Sequence, residues 1–475
     1  MTSIILAEWL VRLVMFVVIV MRKRAPAKAL GWLTIVAFVP FAGTILYFML
    51  GELRLGRRRE LAYTEFEDAL IASPRLRRQL SAVYQPRLDE RDRTLAHLVE
   101  RVGGTPPYGG HHIELIGDTA ELFRRVTEDI DRAWHHCHLL FYIANDDAHG
   151  RAVADALIRA QQRGVACRLA LDAAGSRQYL RSATAQRLRG AGVDVIPLLP
   201  VSAPRAMVAR LDLRNHRKLV VIDGRVGYTG GHNLTTPTYP GKERFGDWID
   251  VSVRLTGPLV NELQEIFLHD CAFDGRAFAT EEEFFPSGAE MSGHMNASLL
   301  PTGPLTPEQP LVDVITQALA LARERIVLTT PYFVPHEGVL AGLRRAALRG
   351  VSCVLVVPRR SDHGITQAAG RSQYGYLLEA GVEIREFEGG LLHAKTLTID
   401  RACAMISTAN LDLRSFELNF ELALLVYDSD FASEVHYLQT DYLGRSRPVT
   451  LREWAGRPFG RRLADNAAKL VAPIL

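Results

Sequence analysis

The ten residues Asn215-His216-Arg217-Lys218-Leu219-Val220-Val221-Ile222-Asp223-Gly224 carry a His-x-Lys with an Asp five residues beyond the Lys. The same skeleton returns as His393-Ala394-Lys395-Thr396-Leu397-Thr398-Ile399-Asp400. One such match arises by chance about once in a hundred chains of this kind; two in matched surroundings are far rarer. Lysine usage sharpens the point. The chain has only Lys23, Lys28, Lys218, Lys242, Lys395 and Lys469, so two of its scarce lysines occupy the two motifs. Each motif reads as a strand. Leu219 to Ile222 is apolar and β-branched-rich, and Asp223-Gly224 is a turn signal. Residues i and i+2 of a strand share a face, so each His and Lys project together while the apolar run anchors them. That pairing suits phosphoryl chemistry: imidazole attacks phosphorus and ammonium holds the phosphate oxygens as charge builds.

The motifs sit in two similar halves. In the first, a helix around Thr119 to Trp134 leads to a strand Leu139 to Ile143, a helix Ala152 to Gln162 and a strand Val165 to Leu171. In the second, a helix Leu311 to Arg323 leads to a strand Ile326 to Thr330, a helix Val339 to Leu348 and a strand Val351 to Val357. Arg163-Gly164-Val165-Ala166-Cys167 and Arg349-Gly350-Val351-Ser352-Cys353 hold the same place in each. Alternating strands and helices predict an α/β fold, and the repetition predicts a duplication with a pseudo-twofold axis and both motifs at the interface. The expected divisions are a membrane anchor over 1–60, a helical connector over 61–105, a first half over 106–290 and a second over 291–475. An acidic Gly/Ser-bearing linker, Glu281 to Ser298, separates the halves.

The N-terminus predicts membrane association. Gly31 to Leu50 is an uncharged run of 20 residues, long enough to span. Ile4 to Met21 is apolar but holds Glu8 and Arg12, which can pair at i,i+4 on a helix. Basic residues flank the second segment on both sides, Arg22, Lys23, Arg24 and Lys28 before it and Arg54, Arg57, Arg58 and Arg59 after it. The tie leaves a two-span hairpin unoriented. Pro40 to Gly43 could instead break the second segment into a re-entrant hairpin. Five scattered cysteines without a C-x-x-C favour a reducing compartment, hence a cytoplasmic catalytic region. The net charge of +3 carries no nucleic-acid signature. His135, His136, Cys137 and His138 are consecutive and project alternately along a strand edge, a poor metal cage. His111-His112 reads as a surface pair; Arg359-Arg360-Ser361-Asp362-His363 follows a strand's C-terminal end and reads equally as a headgroup-binding element or a solvated loop.

A second cluster follows each motif. Asn233 stands 17 residues after His216, and Asn410 stands 17 after His393. Each lies among small residues, Gly230 and Gly231 in one half and Ser407, Thr408 and Ala409 in the other, which let a phosphate approach the backbone. The amide can donate to its oxygens. Asp250 and Glu421 follow on the next strands, each expected to support the His of its own half by fixing the imidazole tautomer.

These residues carry a resemblance. The paired motifs resemble the phospholipase D superfamily. The wider pattern is similar to bacterial cardiolipin synthases through Trp32, Pro40, Gly43, Tyr47 and Gly51-Glu52, through Thr330 to Pro335, and through Asn410 to Glu421. Leu140, Ser407 and Cys271 depart from the family's usual Glu, Gly and Trp. The resemblance implies two phospholipase D-like α/β halves behind a helical membrane region, in a bacterial cytoplasmic membrane. It implies transfer of a phosphatidyl group from one phosphatidylglycerol to another through a phosphatidyl-histidine, giving cardiolipin and glycerol without metal, cofactor or nucleic acid. The alternatives are a hydrolytic phospholipase D and a phosphatidyltransferase with another donor headgroup. The catalytic set implied is His216, Lys218, Asp223, His393, Lys395 and Asp400. Asn233 and Asn410 would bind substrate, and Asp250, Glu421 and Thr408 would support. His216 is the expected nucleophile, as in many superfamily members, and His393 the general acid and base.

Overall fold

The computed structural model describes residues 2–22, 26–52, 86–201, 212–276, 293–306 and 309–471, with isolated positions between 55 and 65, residue 210 and residues 284–285. Most of the expected linker and part of the expected connector lie outside the described residues. Two compact units form, Met1–Leu61 with Val201–Leu213, and Ala62–Pro200 with Arg214–Leu475.

In the first unit, helices run over Thr2–Val20, Pro26–Phe38 and Pro40–Leu46, followed by a wide turn over Tyr47–Gly51. The run from Gly31 to Leu50 is therefore not one continuous helix. Pro40 lacks an N–H and its ring clashes with the preceding turn. It also pushes the residue before it out of the helical region, and Val39 sits at φ −135°, ψ 74°. The third helix folds back so closely that a Cβ on Gly43 would stand 3.0 Å from the Ile35 carbonyl oxygen. Among the described residues no helix is long and apolar enough to cross a membrane. Glu8 and Arg12 pair as expected, at 3.2 Å, and Arg12 Nε also donates to the Ala37 carbonyl.

The second unit is built on one 15-stranded sheet. Its first half holds β1 (Tyr108–Ile116), β2 (His136–Phe141), β3 (Ala166–Asp172), β4 (Asp194–Leu198), β5 (Leu219–Ile222), β6 (Val226–Gly230) and β8 (Ser252–Thr256). The second holds β9 (Met295–Thr302), β10 (Arg325–Thr329), β11 (Ser352–Pro358), β12 (Glu383–Phe387), β14 (Thr396–Ile399), β15 (Cys403–Ser407), β16 (Glu421–Tyr427) and β17 (Ser446–Val449). A separate pair joins β7 (Trp248–Ile249) to β13 (Leu391–Leu392). From the central antiparallel pair β1·β9 outward, each half repeats one order: β8-β6-β5-β2-β3-β4 on one side and β16-β15-β14-β10-β11-β12 on the other, with β17 added at the second edge. The duplication expected from the sequence is thus a duplicated sheet. Strand and helix limits fall within a few residues of expectation, except that β5 and β14 begin after the Lys of each motif. His and Lys stand on the extended approach to the strand.

The strands are buried on both sides, which explains their nearly continuous apolar runs. One core lies beneath helices Leu259–Phe273 and Ser429–Gly444 and spans both halves, including Phe267, Leu299, Leu424 and Phe431. The opposite faces carry separate cores, one per half. His111, expected at the surface, is fully buried, while His112 is exposed. His136 and His138 face inward, where Gln264 Oε1 lies 3.0 Å from a ring nitrogen of each. A structural amide thus occupies them.

The two motif aspartates have a shared structural role. Asp223 and Asp400 begin tight turns at φ 54° and 51°, followed by Gly224 at 62° and Arg401 at 53°. Two successive left-handed residues make the hairpin turn that matches strand twist, and Asp tolerates that region better than most residues. Each carboxylate then gathers three backbone N–H groups. Asp223 accepts from Trp134, His135 and His136 at 2.8–3.0 Å, and Asp400 from Arg323, Glu324 and Arg325 at 2.8 Å. Both lie at the far end of their strands, about 17 Å from the Lys and about 23 Å from the His at the usual rise. Their expected place in the catalytic set is therefore corrected: they tie the motif strand to the start of its neighbour. Asp223→Ala leaves three N–H groups without an acceptor and should cost about 2–4 kcal/mol of stability. Thermal and denaturant unfolding should show that loss, with turnover per folded molecule changed less than about threefold.

Candidate active site

The first motif docks on the second half. Asn215 forms a parallel bridge with Phe420, with His216 N–H donating to the Phe420 carbonyl at 2.9 Å and Phe420 N–H to that of Arg214 at 2.9 Å. The second motif docks on the first half in the same way. Leu391 and Leu392 pair in parallel with Trp248 and Ile249, and the N–H groups of His393 and Ala394 both reach the Ile249 carbonyl. Each histidine is thereby laid beside the acid of the other half. His216 Nδ1 lies 2.9 Å from Glu421 Oε2, and His393 Nδ1 lies 2.5 Å from Asp250 Oδ2. The expectation that each acid serves its own half is corrected: the pairs cross. The cause is the parallel bridging, which places residue 421 next to 216 and residue 250 next to 393.

Both pairs are almost fully buried. Thr408 donates its hydroxyl to Glu421 Oε2 at 2.6 Å, and Asn419 Nδ2 donates to Oε1 at 3.2 Å. Around Asp250 the same room is made by omission, since a Cβ on Gly231 would come 1.8 Å from Asp250 Oδ1. Lys218 Nζ donates to the His216 carbonyl at 2.6 Å. Lys395 donates to the His393 carbonyl, and its Nζ lies 2.8 Å from His393 Nδ1 and 3.6 Å from Asp250 Oδ2. The expected common projection of each His and Lys holds. Arg217, between them in the first motif, donates to the carbonyls of Glu421 and Thr302 and pairs with Asp270 at 2.6 Å.

The electrostatics follow from burial. Desolvation lowers the pKa of His216 against the opposing pull of Glu421. Desolvation and then the Lys395 charge bring His393 down to about 3, although Asp250 opposes them. The lowered pKa values favour the neutral ring, and a carboxylate beside Nδ1 favours the tautomer with its proton there, which leaves the lone pair on Nε2. Burial alone would raise the acids. For Asp250 the charges of Lys395 and His393 outweigh it and hold the carboxyl below its ordinary range. For Glu421 the His216 and Lys218 interactions do so, bringing it to about 2. Desolvation lowers Lys218 to about 7 despite Glu421, and lowers Lys395 despite Asp250.

The two expected substrate amides differ. Asn410 Oδ1 is buried without a partner. Asn233 is engaged at both ends, accepting from Ile143 N–H at 3.1 Å and donating to the Tyr239 hydroxyl at 2.9 Å. Aromatic walls were missed from the sequence. Tyr142 meets His216 edge-on at 4.8 Å, and the Trp248 ring lies 4.7 Å from His393. Tyr239 stacks on Trp248 at 3.8 Å, and Tyr332 stands 6.4 Å from His393. Asp362 joins this wall, taking Lys242 Nζ at 2.5 Å and the Tyr332 hydroxyl at 2.6 Å. The available signal was position: Tyr142 and Tyr332 follow the C-terminal ends of β2 and β10, where α/β sheets place their sites.

A profile described as the cardiolipin synthase PLD-like domain matches residues 126–270 and 315–438, and one described as the phospholipase D-nuclease N-terminal region matches 11–52. Cardiolipin synthase A of Erwinia tasmaniensis is 36% identical over 468 residues, covering 96% of this chain and 95% of that protein. Cardiolipin synthase A of Serratia proteamaculans is 35% identical over 472 residues, with the same coverages. Phosphatidylserine synthase of Haemophilus influenzae superposes with a TM-score of 0.60 at 16% identity, covering 80% of this chain and all of that one, which shows a shared fold.

The crossed pairing predicts a crossed response in nitrogen NMR of the histidines. Glu421→Gln should shift the His216 ring resonances and leave His393 nearly unmoved, and Asp250→Asn should do the reverse. A response confined to the same half would contradict the geometry.

Proposed function

The chain belongs to the cardiolipin synthase family of phospholipase D-like proteins, and from that premise we propose that it transfers a phosphatidyl group from one phosphatidylglycerol to another. The products are cardiolipin and glycerol. The observation that carries this reading is the pair of crossed, buried His–carboxylate pairs, each beside a lysine. His216 attacks phosphorus through Nε2 while Glu421 holds Nδ1–H. The N–P bond forms, the P–O bond to the headgroup breaks, and His393 gives its proton to the departing glycerol oxygen. The primary hydroxyl of a second phosphatidylglycerol then loses its proton to His393 and displaces His216. Two in-line displacements retain configuration at phosphorus. One phosphodiester replaces another, so no nucleotide is consumed.

The charge balance supports protonation of His393 with substrate in place. The buried site holds two lysines and two carboxylates, which offset one another. A phosphodiester adds one negative charge, and a proton on one imidazole restores the balance. Lys218, Lys395 and the amide N–H of Asn410 then serve the developing charge on phosphorus. Thr408 steadies Glu421, and Asn233 steadies the Tyr239–Trp248 wall.

In this reading residues 1–60 anchor the chain to the bacterial cytoplasmic membrane, 61–105 connect, and 106–290 and 291–475 form the two halves on the cytoplasmic side. Leu6, Trp9 and Phe38 expose 75%, 65% and 83% of their surface, as lipid-facing side chains do. The break at Pro40 favours the re-entrant form of the second segment over a straight span. A Cys placed at Ala27 should then resist labelling from outside intact cells.

Purified protein with labelled phosphatidylglycerol in detergent should yield cardiolipin and glycerol. Phosphatidic acid as the main product would instead make it a hydrolase. His216→Ala and His393→Ala should each abolish transfer, with the double variant hardly worse, because groups acting as a unit are not additive. Lys218 loses its proton as pH rises through about 7, so kcat/KM should decline on the alkaline side from there. Lys218→Arg keeps its charge throughout. That variant, though slower by about 10- to 100-fold, should carry the alkaline limb at least one pH unit higher. An unmoved limb would assign it to another group.

A further inference from the structure

The helix Phe459–Val471 turns its one acid, Asp465, inward and leaves most of its other side chains exposed. Asp465 is only 6% exposed and takes Arg457 Nη1 at 2.5 Å; Arg457 in turn lies 3.4 Å over the Trp454 ring. The apolar residues point the other way: Phe459, Leu463 and Leu470 are 77%, 57% and 79% exposed. At 3.6 residues per turn these three fall within roughly 40° of one another, so they form a single outward stripe. Arg462 and Lys469 follow one edge of it, and both are exposed. A helix such as Leu259–Phe273, by contrast, buries its Leu, Ile and Phe side chains in the core.

The stripe is coupled to the active site through packing. The helix rests on Gly364–Arg371. Within that lower helix, a Cβ on Gly370 would stand 2.4 Å from the Phe333 carbonyl oxygen, and Phe333 adjoins Tyr332, whose ring faces His393. Ile365 on the same lower helix is half exposed. Two packed layers therefore separate the exposed stripe from the wall of the His393 pocket.

We propose that Phe459–Val471 is an interfacial helix that lies on an anionic bilayer and sets the His393 side of the site against the headgroup layer. An apolar stripe bordered by Arg and Lys fits such a surface: the stripe enters the acyl boundary and the cations meet lipid phosphates. Asp465, the acid that would oppose this, is turned inward and neutralised by Arg457. A second copy of the chain fits less well, because a twofold pairing of the stripe brings Arg462 and Lys469 towards their own copies. The inference rests on the phosphatidyltransferase reading in one respect, that the substrate is an anionic lipid.

The test uses the full chain with Leu463→Cys carrying a nitrobenzoxadiazole probe; the five native cysteines are buried. In vesicles containing phosphatidylglycerol, lipids spin-labelled on the acyl chain should quench the probe by about half or more, as expected for a helix about 5–10 Å deep. Quenching should weaken in vesicles of phosphatidylcholine alone. An unquenched probe on membrane-bound protein overturns the proposal, and so does energy transfer between labelled copies in lipid-free detergent, which would assign the stripe to self-association. Probe depth is read independently of turnover. An unquenched probe on an enzyme that still makes cardiolipin defeats this inference alone, and a quenched probe on a protein that never uses phosphatidylglycerol defeats only the functional reading. Replacing Phe459, Leu463 and Leu470 together by Ser should lower transfer in vesicles at least about tenfold and leave transfer in mixed micelles within about twofold. Equal loss in both would overturn the proposal.

Discussion

Everything in the catalytic unit depends on the crossing of the two histidine–carboxylate pairs. A histidine from one half gains its tautomer and its burial only when the other half is docked against it. The backbone enforces this through the bridges Asn215–Phe420 and Leu391–Trp248, which set the acid beside the opposite imidazole. Arg217 adds a third tie, holding the carbonyls of Glu421 and Thr302 from inside the first motif. Neither half contains a complete site. The shared sheet across β1·β9 and the shared core beneath Leu259–Phe273 and Ser429–Gly444 make the required docking rigid.

The arrangement has a direct energetic consequence. Four charged groups are buried together, and removing any one leaves a neighbour uncompensated in a medium where that is costly. The same burial that lowers Lys218 and both histidines makes their response to a phosphate large, since little water remains to screen it. Neutral imidazoles, charged carboxylates and weakened ammonium groups together make a site waiting for one negative charge.

Much of the architecture was legible in the sequence, for identifiable reasons. The strands are buried on both faces, so apolar runs such as Leu219 to Ile222 stood out. The duplicated Arg-Gly-Val turns marked equivalent places in two halves. The His and Lys of each motif were found because chemistry needs those side chains at that spacing. What could not be read was partnership. Residues 250 and 421 follow their own motifs in the chain, and only the parallel docking of the halves reveals that they serve the opposite ones. The two aspartates misled for a related reason. A recurring residue beside a catalytic pair invites a chemical role, whereas the left-handed turn and three N–H groups need that same residue for structure. The second apolar segment was legible in composition, but the consequence of Pro40 needed the fold-back onto Ile35 to be seen.

The central claim is that the two motifs form one reaction centre with His216 as its covalent residue. Rapid quenching with phosphorus-labelled phosphatidylglycerol, followed by mapping of the phosphohistidine peptide, addresses it most directly. The account predicts at most one phosphatidyl group per chain, carried on the peptide containing His216. Label on the His393 peptide, or two labels per chain, would contradict it.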